Sequence, residues 1–260
     1  MRFGICVPPE DSAAMADAGF DFIEWPLSRT VGEMDDAAFD ELHVLAEALP
    51  ITPEAWNIML PATLKVVGPD VDHDALARYV DTAFGRAAKL GGEVVVFGSG
   101  GARTVPDGWG HDEAMRQFEE ACRIAGDAAR QHGITIAIEP LNRAETNLVN
   151  SVAEGAAIVD RIQHPAVRLL SDLYHVMQES EPIADTGRQA AKLAHVHIAA
   201  PHSRTLPEAG THDEVYDEWF AMLKHTGYDG RISLECREVT PERAATALSY
   251  LRERWEATAG

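Results

Sequence analysis

Cysteine is scarce in this chain: three residues in 260, Cys6, Cys122 and Cys236, with no C-x-x-C pair. That excludes a thiolate zinc knuckle and a disulfide scaffold, and it fits reduced cytosolic thiols packed as small apolar groups. Cys6 and Cys236 fall on the expected first and last strands, which makes them candidate neighbours. Positive charge is also short. Lys and Arg total 22 against 42 Asp and Glu, a formal net charge of −20. Such a surface repels phosphodiester backbones and anionic lipid, so nucleic acid and membranes are excluded as default partners. A neutral or cationic ligand is favoured; an anionic one needs a local Arg or a metal to reverse the field. No run of 18 apolar residues occurs, and the opening MRFGICVPPE has no apolar core of signal length. The expected location is the cytoplasm. A G-x-G-x-x-G turn opening a helix is missing too, which argues against a nucleotide.

What the chain does contain is an alternation of two periodicities. Short apolar runs stand at 3–7, 22–25, 55–60, 93–97, 134–139, 167–172, 193–198 and 231–235, each bounded by turn-forming residues. Between them lie segments of helical character at 11–18, 35–49, 72–90, 111–132, 151–163, 180–192, 213–225 and 241–257. Asp35, Asp72 and Thr240 stand where N-caps belong, and Gly133 where a helix stops. Strand and helix alternate eight times with no linker or composition shift. The expected fold is α/β, a single (β/α)₈ barrel over residues 1–260. An open doubly wound sheet is the competing architecture.

Parity sorts each strand into two faces. In ITIAIE, the three isoleucines share one face, and Thr135, Ala137 and Glu139 the other. The same rule pairs Leu170 with Asp172, His195 with His197, and Arg231 and Ser233 with Glu235. Glu139, Asp172, His197 and Glu235 are thus the last inward residues of consecutive strands, separated by 33, 25 and 38 positions. In a barrel they converge at the C-terminal mouth, where active sites of this fold lie. Three carboxylates gathered there repel one another unless a cation sits between them. Three oxygen ligands with one imidazole suit a single hard or borderline divalent ion: Mn²⁺ first, Mg²⁺ or Co²⁺ as alternatives, Zn²⁺ less favoured. Taken one at a time, a strand-end Glu more often pairs with an Arg, and an inward His is more often a satisfied core residue. Four in register change that balance.

These motifs resemble a known family. IEPLNRAET is similar to the E-x-x-N-R-x-E strand and loop of xylose-isomerase-like barrels, the sugar phosphate isomerase/epimerase superfamily, with ketose 3-epimerases and hydroxypyruvate isomerases the nearest types. SDLYHVMQESE, HVHIAAPHSRTLPEAG and ISLEC resemble its D-x-x-H, H-x-H…R and final Glu segments. The resemblance implies that Glu139, Asp172, His197 and Glu235 bind the metal and that Glu139 and Glu235 are the acid/base pair. It implies that Glu145, His175 and Arg204 hold substrate oxygens. Relatives are often dimers or tetramers, so it also implies a homo-oligomer, although the sequence carries no interface signature. Two departures stand out. Position 144 is Ala where relatives often carry an aromatic, and the loop after His197 reads P-E-A-G rather than P-G-x-G.

The activity so implied is epimerisation or isomerisation of a keto-sugar or related hydroxy-carbonyl compound. Glutamates would transfer the proton, and a metal-stabilised enediolate would form. A lyase or dehydratase acting on a keto-sugar, keto-inositol or 3-keto-glycoside is the alternative, since the same site serves both. A three-metal phosphodiesterase of the same superfamily needs histidines at the third and fourth strand tops, where AWNIML and VVVFGSG carry none. A ligand-binding barrel without catalysis would not need two carboxylates. Trp109 is assigned to the substrate pocket. Trp25 and Trp56 also fall near strand tops, where an indole stacks on a sugar or simply packs the rim. Arg103, in the glycine-rich stretch 97–109, is either a contact for a phosphate or carboxylate or a surface residue. Asn57 is expected to face the mouth, and His195 to be a hydrogen-bonded core histidine one layer below His197.

Overall fold

Strand β1 (Arg2–Cys6) pairs in parallel with both β2 (Phe22–Pro26) and β8 (Arg231–Leu234), so the sheet has no edge. Between them β3 (Ala55–Asn57), β4 (Val94–Phe97), β5 (Thr135–Ile138), β6 (Val167–Asp172) and β7 (Leu193–Ile198) complete a closed barrel in chain order. The structure is a computed structural model and describes residues 1–259. The helices are α1 (Ser12–Asp17), α2 (Leu27–Thr30), α3 (Asp36–Ala48), α4 (His73–Lys89), α5 (Gly100–Arg103), α6 (His111–His132), α7 (Val152–Ile162), α8 (Leu173–Gln178), α9 (Ile183–Arg188), α10 (Asp213–His225) and α11 (Pro241–Ala257). The chain thus folds as the expected (β/α)₈ barrel. No helix among the described residues is long and apolar enough to cross a membrane.

Local chemistry sets the boundaries. Asp35 and Asp72 accept from the N–H groups of Ala38 and Ala75, at 2.9 and 2.8 Å, and so cap α3 and α4. Thr240 caps α11, whose first residue is Pro241, and Gly133 ends α6 in the left-handed region at φ 72°. The third strand is shorter than the expected 55–60. Ile58 takes a positive φ of 47°, which breaks the ladder, and its carbonyl accepts from Ser28 N–H instead. The expected helix at 180–192 is likewise split, into α9 and a separate 3₁₀ turn at Ala190–Lys192.

Two apolar layers flank the strands. Phe22, Ala55, Val94, Val96, Ala137 and Leu170 fill the barrel interior. Gly4 is needed there, because a β-carbon on it would come within 2.3 Å of the Phe22 ring. The larger core lies between strands and helices. Trp25 and Trp56 belong to it: both are fully buried, edge to face with centroids 5.4 Å apart, so neither is available to a sugar. The N-terminal end of the barrel is closed by charge. Glu54 accepts from Arg2 at 2.6 Å and from Arg231 at 3.0 Å, and Arg231 also pairs with Glu93.

Candidate active site

At the opposite end, β5 to β8 deliver the four expected side chains to one place. Glu139, Asp172, His197 and Glu235 each offer a ligand atom, and these atoms lie within 4.8 Å of one another. Nδ1 of His197 is 3.3 Å from Glu139 Oε1 and 3.4 Å from Glu235 Oε2. The geometry also shows a residue that the strand pattern did not single out. Glu24, wholly buried on β2, accepts from Nε2 of His197 at 2.9 Å and from Nε2 of His195 at 2.8 Å. With a proton on Nε2, the lone pair of His197 falls on Nδ1, facing the carboxylates. This is the carboxylate–histidine arrangement that orients a metal-ligating imidazole. Nε2 of His195 also lies 3.1 Å from Ser233 Oγ, so His195 is a buried, hydrogen-bonded core histidine as expected, although its Nδ1 has no partner.

The donor set fits a divalent cation. Asp172 Oδ2 is buried without a hydrogen-bond partner, an atom that costs free energy unless something positive meets it. Burial and the neighbouring carboxylates raise Asp172 to about 7, although Arg204 and His197 pull the other way. Burial and the charge of Glu235 likewise raise Glu139 against the hydrogen bond from His197. Burial opposes a charged ring at His197, yet Glu24, Glu139 and Glu235 outweigh it and push its pKa well above the ordinary range. Three carboxylates therefore draw a positive charge to this point, as a proton where no metal is held. Cys6, Glu24 and His197 also come within 4.8 Å, but Glu24 and His197 are there already bonded to each other.

Above the ligand cluster opens a cavity of about 1110 Å³, bordered by Glu139, Glu145, Arg204 and Glu235 among others. Arg204 donates to Glu145 at 2.9 Å, pairs with Glu235, and lies over the Tyr174 ring at 4.9 Å. Burial alone would raise Glu235, but Arg204 and His197 hold it well below the usual carboxylate range. Asn57 Nδ2 reaches Glu235 Oε1 at 3.4 Å, so this residue does face the mouth. His175 is buried, and its Nδ1 accepts from Asn142 N–H at 3.1 Å. Its Nε2 has no partner and points within 3.6 Å of Asp172 Oδ2. Burial and the charge of Arg204 depress His175 to about 3, so the ring is neutral. The loop carrying Asn142 is pinned by Glu179, which accepts from Arg143 N–H at 2.8 Å.

Two residues stand elsewhere than expected. Trp109 does not border the cavity; it packs against the outer core with its indole N–H buried. Arg103 is neither a ligand contact nor a surface residue. It is fully buried, stacks on Phe118, and donates to the carbonyls of Phe97 and Glu139 at 3.1 and 2.7 Å. Arg103 thus ties the tip of β4 to the backbone of Glu139. Glycine at position 98 is part of the same corner, since a β-carbon there would lie 2.2 Å from Glu139 Oε2.

A family model described as Xylose isomerase-like TIM barrel matches residues 12–254. The chain belongs to the xylose isomerase-like TIM barrel family. Among its curated relatives are an L-ribulose 3-epimerase of Methylomonas sp., 33% identical over 138 residues, covering 52% of this chain and 47% of the relative. A D-psicose 3-epimerase of Ruminiclostridium cellulolyticum is 26% identical over 233 residues, covering 85% and 75%. In the first of these matches the chain spans about half the length of the relative. Among solved structures, D-psicose 3-epimerase of Clostridium cellulolyticum superposes with a TM-score of 0.83 at 20% identity, over 98% of this chain and 99% of that one. A 3-keto-D-glucoside 4-epimerase of E. coli gives 0.81 at 21%, over 97% and 99%. At these identities the structures speak for the fold of this xylose isomerase-like barrel.

Proposed function

We propose that this protein is a divalent-metal-dependent epimerase or isomerase of a keto-sugar or related hydroxy-carbonyl compound. One observation carries the reading: two glutamates that both border the cavity share a ligand cluster with an aspartate and a histidine. The epimerase names of the relatives support it.

Glu139, Asp172, His197 and Glu235 would hold the ion, Mn²⁺ in the first instance. When bound, the ion would polarise a substrate carbonyl and stabilise negative charge developing on its oxygen. The protein's own groups do the rest. Glu139 stands just past β5 and Glu235 just past β8, three strands apart around the mouth, so their carboxylates approach the reacting carbon from two sides. One removes the proton beside the carbonyl. The other returns a proton to the opposite face, which inverts the carbon. Return to the neighbouring carbon gives aldose–ketose isomerisation instead. Arg204 and Glu145 border the same cavity and present a guanidinium and a carboxylate to substrate hydroxyls. Neutral His175 has a free Nε2–H to offer an oxygen. Arg103 holds Glu139 through its backbone and keeps the base in register. A cytoplasmic homo-oligomer is the form we expect.

The test is proton exchange. Mn²⁺-loaded protein should wash deuterium from D₂O into the α-position of at least one ketose in a panel followed by NMR. Glu139→Gln and Glu235→Gln should each lower that exchange by about 10²–10⁴-fold, the usual worth of a positioned acid/base group. Exchange unchanged in both variants, or no exchange on any ketose, refutes the assignment. Loss of water from the substrate, read as a mass change, would replace it with the lyase reading.

A further inference from the structure

The cavity has a cationic rim that the proposed proton transfer does not use. Among the described residues, thirteen of the eighteen arginines form ion pairs with carboxylates, as expected where acids outnumber bases nearly two to one. Arg103 and Arg168 instead donate to backbone carbonyls. That leaves Arg29, Arg78 and Arg237, whose side chains are exposed and make neither ion pair nor hydrogen bond within the protein. Two of these three, Arg29 and Arg237, border the one cavity that contains Glu139 and Glu235. A guanidinium left unpaired on so acidic a chain is unusual, and the two at this opening are exposed and free to meet a partner that the chain does not supply.

Their surroundings point to the same chemistry. Arg29 is flanked in α2 by Ser28 and Thr30, both buried, both bordering the cavity, and neither hydroxyl bonded to the protein. Arg237 is tethered beside Arg204, whose carbonyl accepts its backbone N–H at 2.7 Å. A second cavity of about 620 Å³ adjoins the first and shares Arg29, Thr30, Asn57 and Glu235 with it, so the opening extends past the reacting centre. Of the acids on the larger cavity, Glu139 is bonded to His197, and Glu145 and Glu235 are paired with Arg204. Only Glu33 remains without a partner, against two free guanidiniums.

We infer that the substrate carries an oxyanion, a carboxylate or a phosphate, at the end away from its reacting carbon, and that Arg29 and Arg237 bind it with the Ser28 and Thr30 hydroxyls. The natural substrate class is then a keto-sugar acid or a keto-sugar phosphate rather than a neutral ketose. Planar guanidinium groups suit either anion through paired N–H donors. This rests on the epimerase reading for what happens at the other end of the molecule.

The experiment compares metal-loaded protein on D-fructose and D-tagatose, on their 6-phosphates, and on a keto-sugar acid such as 5-keto-D-gluconate. Calorimetric binding of each compound is measured alongside turnover. One anionic class should exceed its neutral counterpart in kcat/KM by at least about 10-fold, and whether it is the phosphate or the acid identifies the anion. In R29A/R237A that ratio should fall by about 10–100-fold, the worth of one or two charge-assisted hydrogen bonds. R78A, which removes one such charge away from the cavity, should leave the ratio unchanged. A preference for neutral ketoses in the wild type, or a ratio insensitive to R29A/R237A, overturns the subsite. Arginine-dependent binding of an anionic sugar without turnover of any ketose upholds the subsite while sinking the epimerase reading.

Discussion

The two ends of the barrel carry similar groups in opposite states. At the N-terminal end Arg2 and Arg231 meet Glu54 and Glu93, two cations for two carboxylates, in contact. At the C-terminal end Glu139, Asp172 and Glu235 crowd one imidazole and Arg204, and a buried oxygen of Asp172 has no hydrogen-bond partner. One end is neutral and complete. The other is short of positive charge at its centre. Balanced charge adds to stability, whereas unbalanced charge is kept where a ligand completes it. The difference teaches which end is structural and which is functional without reference to any relative.

The sharpest way to break the comparison is Asp172→Asn. It removes charge from the end already overloaded, so manganese affinity should drop by more than about 100-fold, beyond the 10–100-fold typical of an outer partner. The melting temperature of the metal-free protein should hold or rise. A fall in metal-free stability would show that the mouth is balanced after all. Next comes Glu24→Gln. His195 and His197 meet different oxygens of Glu24, and an amide replaces one of them with an NH₂ donor, so metal affinity should fall about 10–100-fold. Here the metal-free protein should lose stability as well, because two buried imidazoles lose a shared acceptor. Nitrogen chemical shifts of His197 would report the altered tautomer.

The smallest effect belongs to the closed end. Glu54→Gln should cost about 1 kcal/mol in denaturant unfolding, as for a partly exposed ion pair, with no change in metal affinity. Its pH dependence follows from the pairing. Burial would raise Glu54, but Arg2 and Arg231 outweigh it and lower its folded value below the ordinary 4.5. A depressed carboxylate contributes its stability above that ordinary value and loses it as pH falls through the folded one. The gap between wild type and Glu54→Gln should therefore be widest near neutrality and narrow as pH falls below the ordinary 4.5 and through the lower folded value.

Much of this was legible in the chain, because parity is a local rule. The inward positions of β5 to β8 follow from alternation alone, and the four ligand-type residues lie on them. The same rule, applied to FIEW and AWN, sets Trp25 and Trp56 on the faces opposite to Glu24 and Asn57, and so into the outer core. Glu24 was within reach of parity, but its partners lie 171 and 173 residues away on β7, and no local signal joins them. Arg103 was illegible for another reason. Its stretch reads as a flexible glycine loop, but GGAR coils into a turn of helix that carries the guanidinium under the β5 tip. The short third strand depended on a left-handed isoleucine, a conformation that sequence seldom announces.

Gly98 has a consequence for how this mouth can change over time. The carboxylate of Glu139 leans into the space that any larger residue at that position would fill. A glutamate is easy to preserve, since its loss is felt at once; a hydrogen atom on the adjoining strand is just as indispensable and far less conspicuous. Any lineage that drifted to alanine there would keep all four clustered side chains on paper and displace the Glu139 oxygen in fact. Genealogies of this barrel are therefore best scored on that bare position together with the acid beside it.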